Sequence, residues 1–311
     1  MSDDAVIVCD NLVKIYKQAD LEVIALQGLD LVVDSGEFVA IMGASGSGKS
    51  TLLGVLGGLV SPTAGSVRVG GFDLLQLTVQ DRTRYRRNQV GFVWQQTARN
   101  LVPYLSAREN VELPMRFDGR SRRERRLAAL RLLDQVGLTG RADHHPAQLS
   151  GGEQQRVAIA TALANSPRVV FADEPTGELD TDTAAEVVEV LRTVNREDGV
   201  TIVVVTHDSE LAACTDRTVL IRDGRTSTEV LRRSSGEGSD GSIIAEEFAV
   251  LDRVGRLQLP TEYVDALELQ QRVRLTLDAD RINVWPDHAE SQRVDTEAWD
   301  RPGDAEEVDD D

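Results

Sequence analysis

Phe38-Val39-Ala40-Ile41-Met42-Gly43-Ala44-Ser45-Gly46-Ser47-Gly48-Lys49-Ser50-Thr51 is the stretch from which the rest of this chain is read. Its opening apolar run is too short for a helix and suits a strand covered on both faces. The glycine-rich run that follows fits G-x-x-x-x-G-K-[ST], and a helical pattern begins near Lys49. Strand, glycine turn and helix N-terminus in that order make a phosphate cradle. The glycines let successive backbone N–H groups turn toward one anion, and the helix adds its positive end. Lys49 supplies a point charge for the β- and γ-phosphates, and Ser50 an oxygen for Mg²⁺. Every residue from Gly43 to Thr51 is therefore a candidate for nucleotide binding. A flexible Gly/Ser loop with an incidental lysine would need neither the strand before it nor the helix after it.

Outward from this stretch the same rhythm returns. Val169-Val170-Phe171-Ala172 and Thr201-Ile202-Val203-Val204-Val205 are further strand-like runs, with helical patterns over residues 183–196 and 209–214. Such alternation predicts an α/β fold with a parallel sheet and crossover helices. Between about residues 95 and 165 the strand signal lapses. Residues 121–136 there read as an amphipathic helix, with Leu127, Leu130 and Leu133 on one side and arginines elsewhere. The expectation is a helical subdomain inserted into an α/β domain of residues 1–231. The Ser/Gly/acid run around residues 233–242 predicts a flexible linker over 232–246. A small β-rich unit over 247–286 and an acidic, disordered tail over 287–311 follow.

Composition narrows the function classes. The 311-residue chain carries a net charge of −18, and residues 237–311 hold 21 acidic against 7 basic side chains. A chain this acidic is a poor general binder of nucleic acid, so no specific nucleic-acid partner is expected. No apolar stretch approaches the roughly 18 residues needed to span a bilayer, and the N-terminus lacks a secretory pattern. Cys9 and Cys214 are read as free thiols of a reducing compartment. Lys14, Lys17 and Lys49 are the only lysines.

A second apolar strand ends in two carboxylates, Asp173-Glu174. At the end of a parallel strand such acids lie beside the phosphate loop. Asp173 is the candidate Mg²⁺ ligand, and Glu174 the candidate general base toward an attacking water. Taken alone, the pair could equally be a strand-to-turn acid pair closed by Pro175.

Leu149-Ser150-Gly151-Gly152-Glu153-Gln154, at the head of a helical run, resembles the LSGGQ signature of ABC ATPases, with Glu153 where Gln is more usual. Ser150 could also simply cap that helix. Other landmarks of that family stand in its order. Tyr16 matches the aromatic that stacks on adenine. Gln95, in Phe92-Val93-Trp94-Gln95, matches the glutamine that contacts Mg²⁺ and the attacking water. Gly177-Glu178-Leu179-Asp180 resembles the loop that touches the other subunit, and His207 matches the histidine at the γ-phosphate. The resemblance spans about residues 5–231. It implies ATP and Mg²⁺ as cofactors, with Ser50, Gln95 and Asp173 toward the metal. It implies Lys49, Gln95, Glu174 and His207 as catalytic residues. Ser150, Gly151, Gly152, Glu153 and Asp180 would complete the site of a second copy in a head-to-tail dimer.

Residues between the landmarks resemble the MacB, LolD and FtsE branch: Tyr85-Arg86-Arg87, Glu109-Asn110-Val111 and Ala172-Asp173-Glu174-Pro175-Thr176-Gly177. That branch implies an FtsX/MacB-like permease as partner and a cytoplasmic place on the inner face of the cell membrane. The surface around Trp94 and Leu101-Val102-Pro103-Tyr104-Leu105 would receive the permease. A soluble ABC ATPase acting on ribosomes or DNA is the alternative. The C-terminal unit, with strand–turn–strand over residues 250–260, a short helix over 261–267 and a hairpin turning at Asp278-Ala279-Asp280, resembles an AbrB/SpoVT-like swapped-hairpin domain. Its acidity points to dimerisation or regulation.

Overall fold

The computed structural model describes residues 4–18, 21–234, 243–252, 255–270 and 272–286. The chain divides into two units, residues 1–258 and 259–311. In the first, β1 (Ala5–Gln18), β2 (Leu21–Asp34), β3 (Phe38–Met42) and α1 (Lys49–Leu56) come first in sequence. Next are β4 (Ala64–Val69), β5 (Phe72–Asp73), α2 (Val79–Asn88) and β6 (Val90–Val93). A helical stretch follows: α3 (Thr97–Asn100), α4 (Ala107–Phe117), α5 (Arg122–Gln135) and α6 (Gly151–Leu163). The unit closes with β7 (Val169–Asp173), α7 (Thr181–Asp198), β8 (Thr201–Val205), α8 (Ser209–Ala213), β9 (Arg217–Arg222), β10 (Arg225–Ser234) and β11 (Ile243–Ala249).

The central sheet has the order β11-β10-β9-β3-β8-β7-β6. From β6 to β9 its neighbours run parallel, and β10 and β11 add on antiparallel. The apolar runs of the sequence are its central strands, and their side chains alternate between two cores. Ala40, Val170, Ala172, Ile202 and Val204 face a core shared with α4–α7. Val39, Ile41, Phe171, Val203 and Val205 face another, shared with α1 and a second sheet of order β2-β1-β4-β5. Both faces are covered, which is why these strands read as unbroken hydrophobic runs.

The P-loop α/β core and the helical insertion agree with the sequence expectation. The second sheet was not foreseen, because β1 and β2 mix polar and apolar residues and their ladder shifts register repeatedly. The expected linker over 232–246 needs correction at both ends. Residues 228–234 of β10 pair with residues 243–249 of β11, so this stretch extends the central sheet. Residues 235–242 and the predicted tail at 287–311 lie outside the described residues. Cys9 is buried and Cys214 half-buried, and both are free.

The strand–turn–strand expected over residues 250–260 is absent among the described residues. Asp252 instead closes a local turn: its backbone N–H donates to the Arg256 carbonyl at 2.8 Å. Its carboxylate accepts from the Arg256 backbone N–H at 2.8 Å and from Arg256 Nε at 2.8 Å. Such local bonds compete with a ladder.

The second unit has α9 (Thr261–Ala266) and a hairpin of β12 (Val273–Leu277) and β13 (Ile282–Pro286). The hairpin closes at Asp278, whose N–H donates to the Arg281 carbonyl at 2.9 Å. Its register sets Val273, Leu275 and Leu277 opposite Pro286, Val284 and Ile282 on one face. Arg274, Thr276, Asn283 and Trp285 share the other.

Arg217 fastens the two sheets of the first unit. It is 9% exposed and meets Glu37 twice, at 2.7 and 3.0 Å, Glu229 at 3.2 Å, and the Val32 carbonyl of β2. Removing one member of a buried ion cluster strands the others, so Arg217→Ala should lower unfolding stability by about 3 kcal/mol in urea titrations. Lys17→Ala, which breaks an exposed pair with Glu22, should change it by less than about 1 kcal/mol.

Candidate functional site

The carboxyl ends of β3, β7 and β8 open into one cleft of about 490 Å³. Open α/β sheets bind ligands at this edge. Lys49, Ser50, Gln95, Asp173, Glu174 and His207 all line it. Residues far apart in sequence are thus brought together as the motifs predicted.

The phosphate loop is held by close backbone approach. A Cβ on Gly43 would lie 2.2 Å from the Ile221 carbonyl, and one on Gly48 2.5 Å from the Ala25 carbonyl. Both glycines also have positive φ, 150° and 105°, so any side chain there would strain the loop as well as clash. Lys49 Nζ donates to the carbonyls of Gly43 at 2.8 Å and Ala44 at 2.9 Å, curling the loop around its own ammonium. A lysine has three N–H donors, so one remains for a phosphate oxygen.

Glu174 follows β7 directly and has φ 47°, the left-handed region that a residue with a Cβ seldom adopts. Its N–H donates to the Val205 carbonyl at 2.8 Å. Its carboxylate, only 14% exposed, meets His207 Nδ1 at 2.9 Å and accepts from the His207 backbone N–H at 3.4 Å. The imidazole itself is 74% exposed. The hydrogen bond to Glu174, and then the charge of Glu174, raise the His207 pKa above its ordinary value. Burial, and then the charge of Glu174, raise that of Asp173, against the opposing pull of Lys49 and Arg99. Arg99 was not singled out in the sequence; its only signal there was its place four residues after Gln95.

The oxygen-bearing groups of Ser50, Gln95 and Asp173 suit a hard cation. Among the described residues no cluster of three or more His, Cys, Asp or Glu could hold a metal alone. That donor set, with one carboxylate, fits Mg²⁺, which is held by one or two carboxylates and fills the rest of its shell largely with phosphate oxygens and water.

Gly43, Ser45, Gly46, Gly48 and Thr51 of the phosphate loop line the cleft too, whereas Tyr16, Ser150, Gly151, Gly152, Glu153 and Asp180 do not. Tyr16 pairs with Val23 across the β1–β2 ladder, is 40% exposed, and lies under Lys14 Nζ at 4.8 Å from its ring centroid. Val23, Ile24 and Ala25 line the cleft instead, and no motif marks them. Ser150 caps α6: its Oγ accepts from the Glu153 N–H at 3.2 Å, and its own N–H donates to Glu153 Oε2 at 2.8 Å. Glu153 also pairs with Arg141 at 2.8 Å. Asp180 caps α7, accepting from the Thr183 N–H at 3.1 Å. The signature and this loop abut, since a Cβ on Gly152 would lie 2.1 Å from Thr183 Cγ2.

Comparisons with known proteins identify the family. The family model for the ABC transporter matches residues 26–177. An uncharacterized ABC transporter ATP-binding protein of Methanocaldococcus jannaschii, MJ0796, is 47% identical over 223 residues, 70% of this chain and 94% of that one. The lipoprotein-releasing system ATP-binding protein LolD of Colwellia psychrerythraea is 44% identical over 220 residues, 71% of this chain and 84% of that one. The macrolide export ATP-binding/permease protein MacB of Rhodopirellula baltica is 48% identical over 227 residues, 72% of this chain but 33% of that one. This chain thus spans about a third of the length of that MacB relative. The dimeric post-hydrolysis structure of the cassette MJ0796 with ADP and Pi superposes with a TM-score of 0.66 at 44% identity, covering 72% of this chain and 97% of that one. This chain belongs to the ABC transporter ATP-binding family.

Because Glu174 favours the imidazolium, the His207 proton should leave at higher pH than from an ordinary histidine. In Glu174→Gln that stabilisation is lost and the titration should move to lower pH. A ¹H–¹⁵N NMR titration of the nucleotide-free chain would check both curves.

Proposed function

We propose that this chain is the ATP-hydrolysing subunit of a two-copy machine that drives an FtsX/MacB-like permease in the cell membrane. The observation that carries the reading is the convergence of Lys49, Asp173, Glu174 and His207 in one cleft, while Ser150 and Asp180 do not line it. One chain therefore offers two half-sites. The phosphate loop of one copy and the α6 N-terminus of another would enclose one ATP, with Ser150 Oγ and the N–H groups of Gly151 and Gly152 toward the γ-phosphate.

Each residue then has a task. Lys49 and the loop N–H groups hold the β- and γ-phosphates. Ser50, Gln95 and Asp173 would hold Mg²⁺, which supplies charge neutralisation at the phosphate oxygens when bound. Glu174 takes a proton from the water that attacks the γ-phosphate. His207 Nδ1 meets that carboxylate at 2.9 Å. A turn of its exposed ring toward the γ-phosphate would free Glu174 for the water. Tyr16 stands beside Val23 for the adenine, and Glu153 and Asp180 rigidify the signature and the loop of the second half-site.

The permease surface is supported by a groove of about 530 Å³ between α2, β6, α4 and α6. Phe92, Leu113, Pro114 and Phe117 give it an apolar floor, and Arg86 and Arg87 a basic rim. A permease helix with apolar and acidic faces fits that lining. Trp94 stacks on Phe92 at 4.6 Å between centroids, and Tyr104 is 78% exposed beyond it. Among the described residues no helix is long and apolar enough to cross a membrane. An AbrB/SpoVT-like role for the C-terminal unit, pairing two copies, is supported by the hairpin with one apolar face. Two strands alone are marginally stable.

Glu174→Gln should slow phosphate release by at least about a hundredfold while ATP still binds, since general-base catalysis contributes about 10²–10⁴ in rate. The variant should then accumulate as an ATP-dependent dimer in light scattering. Hydrolysis at the wild-type rate would remove Glu174 from its role.

A further inference from the structure

We propose that Asn100 is a positioning residue for Gln95, acting by gripping the backbone of Trp94. The proposal rests on the ATPase reading above and adds to it a residue that no motif marked.

After β6 the chain leaves the central sheet and must reach α4. Gln95, which lines the cleft, is the second residue beyond the strand. No sheet ladder fixes the backbone here, and α3 is a single helical turn. The Asn100 side chain supplies the missing partners. Its Oδ1 accepts from the Trp94 N–H at 2.8 Å, and its Nδ2 donates to the Trp94 carbonyl at 2.8 Å. A primary amide meeting both backbone groups of one residue mimics a strand pair. It fixes the position and tilt of the peptide from which Gln95 springs.

A second asparagine anchors the far side. Asn110 of α4 is 2% exposed. Its side chain accepts from the Val102 N–H at 2.7 Å. It donates to the carbonyls of Val102 at 3.2 Å, Leu105 at 3.1 Å and Ser106 at 3.0 Å. Residues 102–106 are thereby bolted to α4, and Asn100 stands between this bolted segment and Trp94. A displacement of α4 therefore reaches Gln95 through the Asn100 amide. The apolar side chains at Leu113, Pro114 and Phe117 lie on the same helix, in the groove described above. A load applied there has a short mechanical route to the cleft.

The chemistry of the clamp sets the test. Aspartate in place of Asn100 keeps the acceptor for the Trp94 N–H but loses the donor, and sets a carboxylate against the Trp94 carbonyl. Alanine loses both. With the full-length chain, Asn100→Ala should leave ATP affinity within about threefold and lower kcat at least about tenfold, and Asn100→Asp should fall between. Trp94 amide hydrogen exchange in the nucleotide-free chain should quicken at least about tenfold in Asn100→Ala. Gln95→Ala serves as the background for a double-mutant cycle. If Asn100 acts through Gln95, adding Asn100→Ala to Gln95→Ala should cost no further rate. A full additional loss in that background, or faster Trp94 exchange with unchanged kcat, would overturn the proposal and leave Asn100 a purely structural clamp. An unaltered rate in Gln95→Ala alone would instead count against the assignment of Gln95, a separate failure with its own signature.

Discussion

The parallel pairing of β3, β8 and β7 is the constraint on which the rest depends. It sets Ile41 opposite Val205, and Val205 opposite Asp173, so three strands end at one level. Two bonds carry the pairing past the strand ends: the Thr206 N–H donates to the Ile41 carbonyl at 3.1 Å, and the Glu174 N–H to the Val205 carbonyl at 2.8 Å. The phosphate loop, the acid pair and His207 therefore emerge side by side. A slip of one residue in any ladder would turn each of these side chains to the opposite face and dissolve the cleft. The buried apolar alternation along the strands guards against that slip, because it would also place one core's residues in the other.

That constraint explains what could be read in advance. A cleft fixed by strand ends is written locally, in a few residues after each apolar run, so Lys49, Asp173, Glu174 and His207 were legible one motif at a time. The wall formed by Val23, Ile24 and Ala25 was not. Those residues reach the cleft because β2 folds back along β1, and that ladder has register shifts between Cys9 and Leu12 and between Lys14 and Ile15. No local period encodes such a path. Tyr16 shows the same limit from the other side, since its motif was readable while its placement depends on that ladder. The hairpin of β10 and β11 was missed for a different reason. A run rich in serine, glycine and acid outweighed the short strand segments that flank it.

At the signature and the loop near Asp180, polar atoms have a structural occupation in a single chain. Ser150 and Asp180 each satisfy helix N–H groups that would otherwise lack partners. Yet α6 and α7 approach so closely at Gly152 and Thr183 that the two caps share one rigid block. Capping and ligand recognition are compatible here, because a well-capped helix keeps its N-terminus formed and its remaining N–H groups aimed outward. The capping box with Glu153 also gives a physical reason for glutamate in this position. Its carboxylate meets both the Ser150 N–H and the Arg141 guanidinium, and the Ser150 hydrogen bond leads in lowering its pKa, so it stays ionised as an acceptor.

The path from β6 to α4 follows a different design. Where the fold needs rigidity it uses ladders and caps; between the sheet and the helical subdomain it uses two asparagine side chains. A ladder is cooperative, and extending it through Gln95 would lock this residue to the sheet. A single amide gripping Trp94 instead ties its backbone to the segment that leads to α4. The buried Asn110, with its bonds to residues 102–106, holds the α4 end of that path, and Asn100 holds the Trp94 end. On the proposed reading, Gln95 answers to the helical subdomain through both. A ladder would hold Gln95 in the cleft regardless of the helices, and a path without either asparagine would let the helices move without consequence.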